Sequence, residues 1–232
     1  MADSREQPFQ QEIVDAMCAV DGGWKTGPAS GYDRERALYS QDLIDYFQEA
    51  HPDQWERFAR QHPREPEQAL LNATVRELDK KGALHVLRHG FKVPAARVSL
   101  CSFKPDHGMN PEAEAGYRAN RLRVVQEVSY SPHHRQGEYN PRLDLVLFVN
   151  GIPTATLELK SEFQQSVERA KRQYRRDRPP KDPKTRRPEP LLTFGRGALV
   201  HFAVSQFEVA MTTRLAGNQT FFLPFNKGQD DG

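Results

Sequence analysis

The spacing of apolar residues changes from helical to strand-like near residue 97. Before that point apolar residues recur every three or four positions, a spacing that predicts helices. We expect these helices at about residues 7–20, after Ser40 as the N-cap, at 53–60 and at 68–80, the last ended by Gly82. After that point apolar and polar positions alternate, which predicts strands at about residues 97–103, 121–130, 199–204 and 208–212. A helical front section, to about residue 90, therefore precedes a sheet-forming section over about 97–225.

One further helix is predicted between the strands, at about residues 162–176. Its apolar residues fall on one stripe, which predicts that it packs on the sheet: Phe163, Val167, Ala170 and Tyr174. In the strand at 121–130, alternation predicts that Val124 and Val128 share a face. Strands, then a crossover helix, then further strands are typical of a mixed α/β sheet flanked by helices. No linker interrupts the sequence, so we predict one domain over residues 1–232.

Two apolar runs in the sheet-forming section carry charged residues in their interior. The Asn150-Gly151 pair between them is the strongest short-range signal of a β-hairpin. Asp144 lies in the first run, and Glu158 and Lys160 lie in the second, on the same face because they are two residues apart. Carboxylates and a lysine are costly to bury among apolar residues without a partner. A bound divalent cation is the partner that best explains this combination.

The hairpin register decides whether the two carboxylates can share an ion. A regular hairpin with a two-residue Asn150-Gly151 loop would pair Asp144 with Leu157, so that Glu158 would point to the opposite face. We therefore predict a three-residue loop, or a β-bulge, that shifts the pairing by one residue and places Asp144 opposite Glu158.

Composition limits the class of protein. With 232 residues, of which 37% are hydrophobic and 28% charged, the chain can bury one sizeable core beneath a polar surface. No apolar run approaches the roughly 18 residues of a membrane span, and no apolar stretch follows the N-terminus as in a secretory signal. Cys18 and Cys101 are too few and too far apart for a disulfide framework or a zinc site. We expect a cytoplasmic protein with no membrane partner.

Charge is distributed unevenly, although the net charge is only +2. Ten Lys or Arg and four Asp or Glu lie in residues 164–189, which leaves the rest of the chain at net −4. A basic stretch beside an acidic hairpin is typical of a surface that attracts a phosphate backbone. A solvated helix face followed by a charged loop would give the same composition, and the five prolines in residues 178–190 do predict a loop.

The sequence around these residues resembles one known family. The pattern of Asp144, Glu158 and Lys160 is that of the PD-(D/E)xK nuclease superfamily. Longer segments resemble the N-terminal endonuclease domain of the R (restriction) subunit of type I restriction-modification enzymes. In chain order they are Asn120-Arg-Leu-Arg-Val-Val125, Leu145-Val-Leu-Phe-Val-Asn-Gly-Ile-Pro153, Leu157-Glu-Leu-Lys160, Gln173-Tyr-Arg-Arg-Asp-Arg178, Leu199-Val-His-Phe-Ala-Val204, Met211-Thr-Thr-Arg-Leu-Ala-Gly217 and Phe222-Leu-Pro-Phe-Asn-Lys-Gly228. The resemblance covers nearly the whole chain and implies a restriction-endonuclease-like fold.

The resemblance implies a Mg²⁺-dependent DNA endonuclease, with Mn²⁺ as the alternative metal. Asp144 and Glu158 would be the metal ligands, and the backbone carbonyl of Leu159 would add a third oxygen. Lys160 would orient or polarise the attacking water and offset phosphate charge. Without the family's flanking segments, an ion pair between Glu158 and Lys160 on an exposed strand face would explain the same residues.

The resemblance also implies supporting residues. A first-helix glutamate approaches the metal in related nucleases, and Glu12 is the best match, although helical spacing fits a solvated residue equally well. Gln173 and Tyr174 match a glutamine-tyrosine element that ties the helix to the site and contacts DNA. The superfamily's wider Gln-x-x-x-Tyr form would place glutamine at position 170, which is Ala170 here, so Gln173 fits less well than Tyr174. The residues expected to contact DNA phosphates, without reading bases, are Arg175, Arg176 and Arg178.

The family's R subunits continue into an ATP-dependent translocase motor and act on double-stranded DNA with methyltransferase (M) and specificity (S) subunits. No Gly-x-x-x-x-Gly-Lys-Ser/Thr phosphate-binding loop occurs in this sequence. We therefore expect a fragment that lacks the motor, with ATP bound only by the absent domains. The alternative is a non-catalytic DNA-binding or docking module with a vestigial acidic hairpin. The intact Asp144, Glu158 and Lys160 favour the nuclease.

Overall fold

The computed structural model describes residues 6–20, 22–94, 96–106, 109–161 and 167–225, which form seven α-helices and eleven strands. The helices are α1 (Glu6–Cys18), α2 (Ser40–Ala50), α3 (Pro52–Gln61), α4 (Pro66–Lys81), α5 (Ala83–His89), α6 (Pro111–Arg118) and α7 (Val167–Asp177). The strands are β1 (Trp24–Gly27), β2 (Tyr32–Asp33), β3 (Leu38–Tyr39), β4 (Phe91–Val93), β5 (Ala96–Val98), β6 (Leu122–Ser129), β7 (Arg142–Val149), β8 (Ile152–Lys160), β9 (Val200–Ser205), β10 (Val209–Thr212) and β11 (Leu223–Pro224).

A seven-stranded mixed sheet forms the centre of the fold, in the order β1-β6-β7-β8-β9-β10-β11. β7 and β8 pair antiparallel as the predicted hairpin, and β8 pairs in parallel with β9. The pairs β2–β3 and β4–β5 form two small separate sheets. Because β7 and β8 are interior strands, both of their faces are largely buried, which explains their nearly continuous apolar sequence.

Helices cover both faces of the sheet. α7 packs on β8 and β9 through a buried stripe of Val167, Ala170 and Tyr174. α1 covers the opposite face, where Val14 is buried with Leu157 and Leu159. Helices α2 to α5 enclose a further core cluster. The hairpin strands therefore lie between α1 and α7, and residues that alternate along β8 face one helix or the other.

The helices predicted in the front section are confirmed as α1, α2, α3 and α4, and Gly82 ends α4 with a φ of 86°. The front section is not purely helical, however, because β1 forms one edge of the sheet by pairing with the distant β6. The predicted strand at 97–103 is wrong over most of its length, because only Ala96–Val98 pairs, and it does so with Phe91–Val93 outside the main sheet. Both errors concern long-range pairing, which the spacing within a short segment does not reveal.

The strand predicted at 121–130 is confirmed as β6, but the predicted alternation of its faces is wrong. Val124 is buried on the α1 face, whereas Val125 and Val128 are buried on the α7 face. The alternation is interrupted at Glu127, whose φ is 53°. Non-glycine residues rarely adopt this left-handed conformation, so apolar periodicity gives no indication of it.

The remaining strands and the last helix follow the predictions. β9 and β10 confirm the strands expected at 199–204 and 208–212, and α7 confirms the helix at 162–176 for the residues that the structure describes. Phe163 of the predicted stripe lies outside the described residues. The fold class is confirmed as a mixed α/β sheet flanked by helices, consistent with a restriction-endonuclease-like fold. Within the described residues, no helix combines the length and the apolar character needed to cross a membrane.

Candidate active site

The turn of the β7–β8 hairpin is a tight two-residue turn. Asn150 and Gly151 both have positive φ, 49° and 77°, which the Asn-Gly pair adopts at low cost. Val149 pairs directly with Ile152 across this turn. If the pairing continued regularly from here, Glu158 would point away from the face that carries Asp144.

A β-bulge in β8 corrects the alignment of the two carboxylates. The pairing shifts by one residue next to the turn, where Thr154 is left without a cross-strand partner. Beyond the bulge Leu145 pairs with Leu157, so the next two residues, Asp144 and Glu158, lie opposite each other. The predicted register shift is confirmed. Glu158 projects to the α7 face, since Leu157 and Leu159 are buried on the α1 face, and the Asp144 carboxylate lies close enough to raise the pKa of both Glu158 and Tyr174.

Each carboxylate is held by a short hydrogen bond. Oδ2 of Asp144 accepts a hydrogen bond from the main-chain N–H of Leu159 at 2.6 Å. This bond fixes the Asp144 carboxylate beside the main chain of β8. Oε1 of Glu158 accepts a hydrogen bond from Nε of Arg178 at 2.6 Å. The two carboxylates are therefore oriented by the protein itself.

Glu158 is fully buried, and its two carboxylate oxygens differ in their hydrogen bonding. Oε2 is enclosed and has no hydrogen-bond partner in the described part of the chain. Burial, reinforced by the Asp144 carboxylate, raises the pKa of Glu158 to about 8, although the Arg178 guanidinium opposes this change. An enclosed carboxylate oxygen without a partner is unfavourable. A cation between Asp144 and Glu158 would remove that cost.

The residues present fit a hard divalent cation that binds through oxygen. Mg²⁺ prefers one or two carboxylates and keeps several water ligands, and Asp144 and Glu158 supply the carboxylates. No group of three His, Cys, Asp or Glu side chains that could hold a metal occurs among the described residues. Water and a main-chain carbonyl, for which Leu159 is the predicted donor, would complete the ligand set. Such a set suits Mg²⁺ or Mn²⁺ better than zinc, which favours Cys and His.

Lys160 lies two residues beyond Glu158 on β8 and therefore on the same face. It is half-buried at the end of the strand, opposite Ser205 of β9. Its positive charge lowers the pKa of Glu158, although less than burial raises it. The structure thus brings Asp144, Glu158 and Lys160 to one face of the sheet. Their roles in catalysis stay predictions.

Gln10 of α1 supports the main chain at Asp144. Its side chain is buried, and Nε2 donates a hydrogen bond to the carbonyl oxygen of Asp144 at 3.0 Å. At this point the ladder between β6 and β7 lacks a pair between Glu127 and Asp144, although the residues on either side are paired. The left-handed conformation of Glu127 explains the gap. Gln10 therefore provides an anchor for β7 where strand pairing is missing.

The structure does not place Glu12 at the site. Glu12 is exposed on α1, and that helix packs on the face of Leu157 and Leu159, opposite to the Glu158 side chain. No hydrogen bond or ion pair joins Glu12 to either carboxylate among the described residues, so the structure gives its predicted role no support. Gln10 lies four residues before the buried Val14 and so on the inner side of the helix. This spacing is the sequence feature that could have identified Gln10 as the α1 residue that approaches β7.

Tyr174 ties α7 to β8 from inside the core. Its hydroxyl lies 2.7 Å from Oγ1 of Thr156, which is also 2.8 Å from Nδ1 of His201. Burial raises the pKa of Tyr174 well above its usual value. Because Tyr174 is completely buried, its predicted contact with DNA is wrong, whereas a tie between the helix and the site strand is present. Gln173 is half-exposed, and no hydrogen bond joins it to the site among the described residues.

The three arginines expected to contact DNA phosphates differ in how exposed their side chains are. Arg176 is exposed at the end of α7. Arg175 is half-buried, donates through Nε to the carbonyl of Thr220 at 3.2 Å and lies over the ring of Phe222. Arg178 is buried and forms an ion pair with Glu158, so its predicted phosphate contact is wrong. An arginine-rich run in the sequence does not reveal which member meets a buried carboxylate.

Comparison with known families gives a match over nearly the whole chain. The model of the family described as "Type I restriction enzyme R protein N terminus" matches residues 5–220, which include the complete β7–β8 hairpin and α7. No individual curated protein matched the chain.

Proposed function

Because the chain belongs to the family of type I restriction enzyme R protein N-terminal domains, we propose that Asp144, Glu158 and Lys160 form a metal-dependent DNA endonuclease site. Two observations carry this proposal: the bulge places Asp144 opposite Glu158, and Oε2 of Glu158 is enclosed with no hydrogen-bond partner among the described residues. A vestigial site would have no physical reason to retain a shifted register and two oriented carboxylates. The preferred metal in this proposal is Mg²⁺, with Mn²⁺ as a substitute.

The side chains divide the work of phosphodiester hydrolysis. A bound Mg²⁺ would supply a water of lowered pKa and neutralise charge on the phosphate. Asp144 and Glu158 would hold that ion, and their hydrogen bonds to Leu159 and Arg178 keep them oriented. Lys160, on the same face, orients the attacking water and offsets the negative charge that develops on the phosphate oxygens.

DNA is bound through its backbone in this proposal. Arg176 is exposed at the end of α7, and the proline-rich loop that follows carries further exposed cations, namely Lys181, Lys184, Arg186 and Arg187. Such side chains neutralise phosphates, but a loop gives them no rigid frame from which to read base edges. Sequence specificity would therefore come from another subunit of a restriction complex. The M and S subunits, and an ATP-dependent motor outside this chain, are the partners that we propose.

The test separates cleavage from motor activity in an assembled restriction enzyme. Asp144→Ala, Glu158→Ala and Lys160→Ala are each expected to abolish nicking of supercoiled DNA while ATP hydrolysis continues at the wild-type rate. Glu12→Ala is the matched control, since this acid is exposed and forms no hydrogen bond or ion pair with either carboxylate among the described residues. Cleavage near the wild-type rate in all three variants would refute the nuclease site and favour a non-catalytic docking module. A parallel loss of ATP hydrolysis would indicate defective assembly instead.

A further inference from the structure

Arg178 follows directly after α7 yet is among the most buried charged residues of the described chain, at 2% exposure. An arginine at the start of a basic, proline-rich loop would ordinarily extend into solvent. Here its side chain points at the β7–β8 hairpin, where it forms an ion pair with Glu158. The burial of a guanidinium requires that its donors find partners.

All three nitrogens of the Arg178 guanidinium have such partners. Nε donates to Oε1 of Glu158 at 2.6 Å, and Nη2 donates to the carbonyl of Arg142, the first residue of β7, at 2.5 Å. Nη1 donates to the carbonyl of Asp177, the last residue of α7, at 3.2 Å. The planar group is thereby held in one orientation, which links the end of α7 to both strands of the hairpin.

The contact with Glu158 is one-sided. Arginine–carboxylate contacts often use two guanidinium nitrogens, one on each carboxylate oxygen. Here Nη2 of Arg178 donates to the Arg142 carbonyl instead. Oε1 of Glu158 is occupied, and Oε2 has no partner among the described residues. The arginine therefore selects which of the two carboxylate oxygens is left for another ligand.

We propose that Arg178 is a positioning residue that occupies Oε1 of Glu158 and presents Oε2 to the divalent cation. This inference rests on the proposed function, because it assumes that Asp144 and Glu158 hold the ion. Arg178 itself touches neither metal nor DNA. Partners that orient the ligands of a metal typically contribute about 10- to 100-fold in metal affinity or activity. A lysine would keep the positive charge, but its single ammonium lacks the planar fork that reaches Oε1 and the Arg142 carbonyl together.

The experiment measures Mn²⁺ binding to this chain from the EPR signal of the free ion, without DNA or turnover. Arg178→Ala is expected to bind Mn²⁺ about 10- to 100-fold more weakly than the wild type, and Arg178→Lys to lie between them. Arg172→Ala is the matched control, because Arg172 is an exposed arginine on α7 and its loss should leave Mn²⁺ affinity unchanged. Circular dichroism and urea unfolding identify any variant that does not fold.

The outcomes distinguish this inference from the proposed function. If the wild type binds no Mn²⁺, or binds it equally well after Glu158→Ala, the metal site itself fails. If the wild type binds Mn²⁺ through Glu158 and folded Arg178→Ala binds it as well or better, only the positioning role is overturned. If Arg178→Ala does not fold, Arg178→Lys is the deciding variant. Wild-type Mn²⁺ affinity in Arg178→Lys overturns the positioning role, and weakened affinity supports it.

Discussion

Acidification is expected to destabilise the protein through His201, a buried residue of β9 whose ring contacts Thr156 of β8 and Tyr174 of α7. His201 is 1% exposed, and its Nδ1 lies 2.8 Å from Oγ1 of Thr156. Burial lowers the pKa of His201 from its usual 6.5 to about 4. The folded protein therefore resists the proton that the unfolded chain accepts near pH 6.5. The contribution of neutral His201 to stability is complete above that pH and is lost as the pH falls toward 4.

The size of the effect follows from the difference between the two pKa values. A shift of one pKa unit corresponds to about 1.4 kcal/mol, and at pH 5 the unfolded chain is already mostly protonated at this histidine while the folded protein is not. The linkage relation then gives a loss of about 2 kcal/mol between pH 8 and pH 5. In a small domain whose total stability is about 5–15 kcal/mol, such a loss is readily measured.

The assay is urea unfolding at several pH values in metal-free buffer. His201→Asn keeps a polar atom near the position of Nδ1 but does not titrate. Between pH 8 and pH 5, its free energy of unfolding should therefore fall by about 2 kcal/mol less than that of the wild type. His85→Asn, at an exposed histidine, is the control and should follow the wild type. Other titrating groups, Glu158 among them, are common to all three proteins and cancel in the comparison. Parallel curves for the wild type and His201→Asn would refute the reasoning.

Two further predictions concern the first helix and the arginines. Gln10→Ala should lower the free energy of unfolding by about 1–2 kcal/mol, because it removes the buried hydrogen bond to the Asp144 carbonyl, whereas Glu12→Ala should change it by no more than about 0.5 kcal/mol. Equal effects in urea unfolding would contradict this account of α1. Arg176→Ala should weaken binding to unrelated duplexes alike and reduce the slope of log affinity against log salt by about 0.9. A change confined to one duplex, measured by fluorescence anisotropy at several salt concentrations, would contradict a purely electrostatic contact.

The hairpin shows what the sequence allows one to predict. The Asn150-Gly151 turn is a local signal, and the spacing of Asp144 and Glu158 from it shows that regular pairing would separate them. The need to bring the carboxylates together therefore predicts the register shift, which the structure confirms. The argument works because turn type, strand alternation and carboxylate chemistry all act within a single short segment.

The contacts around the hairpin could not be predicted in the same way. Arg178 meets Glu158, and Gln10 meets Asp144, only because α7 and α1 pack against particular positions of the sheet. Sequence periodicity predicts that a helix has a buried side, but not which strand residue lies opposite a given position. The left-handed conformation of Glu127 could not be predicted from the sequence either, since glutamate has no preference for that conformation.

The bulge at Thr154 also has a consequence for variation in chain length. Seven residues lead from Gly151 to Glu158, but only six lead from Asp144 to Asn150, so β8 contains one residue more than a regular ladder can pair. A chain that lacked Thr154 would reach the same alignment of Asp144 with Glu158 without any bulge. The site requires the alignment of Asp144 with Glu158, and the bulge is the means by which a β8 strand of this length reaches it. This segment of β8 is therefore where the hairpin can lose one residue while its carboxylates stay together.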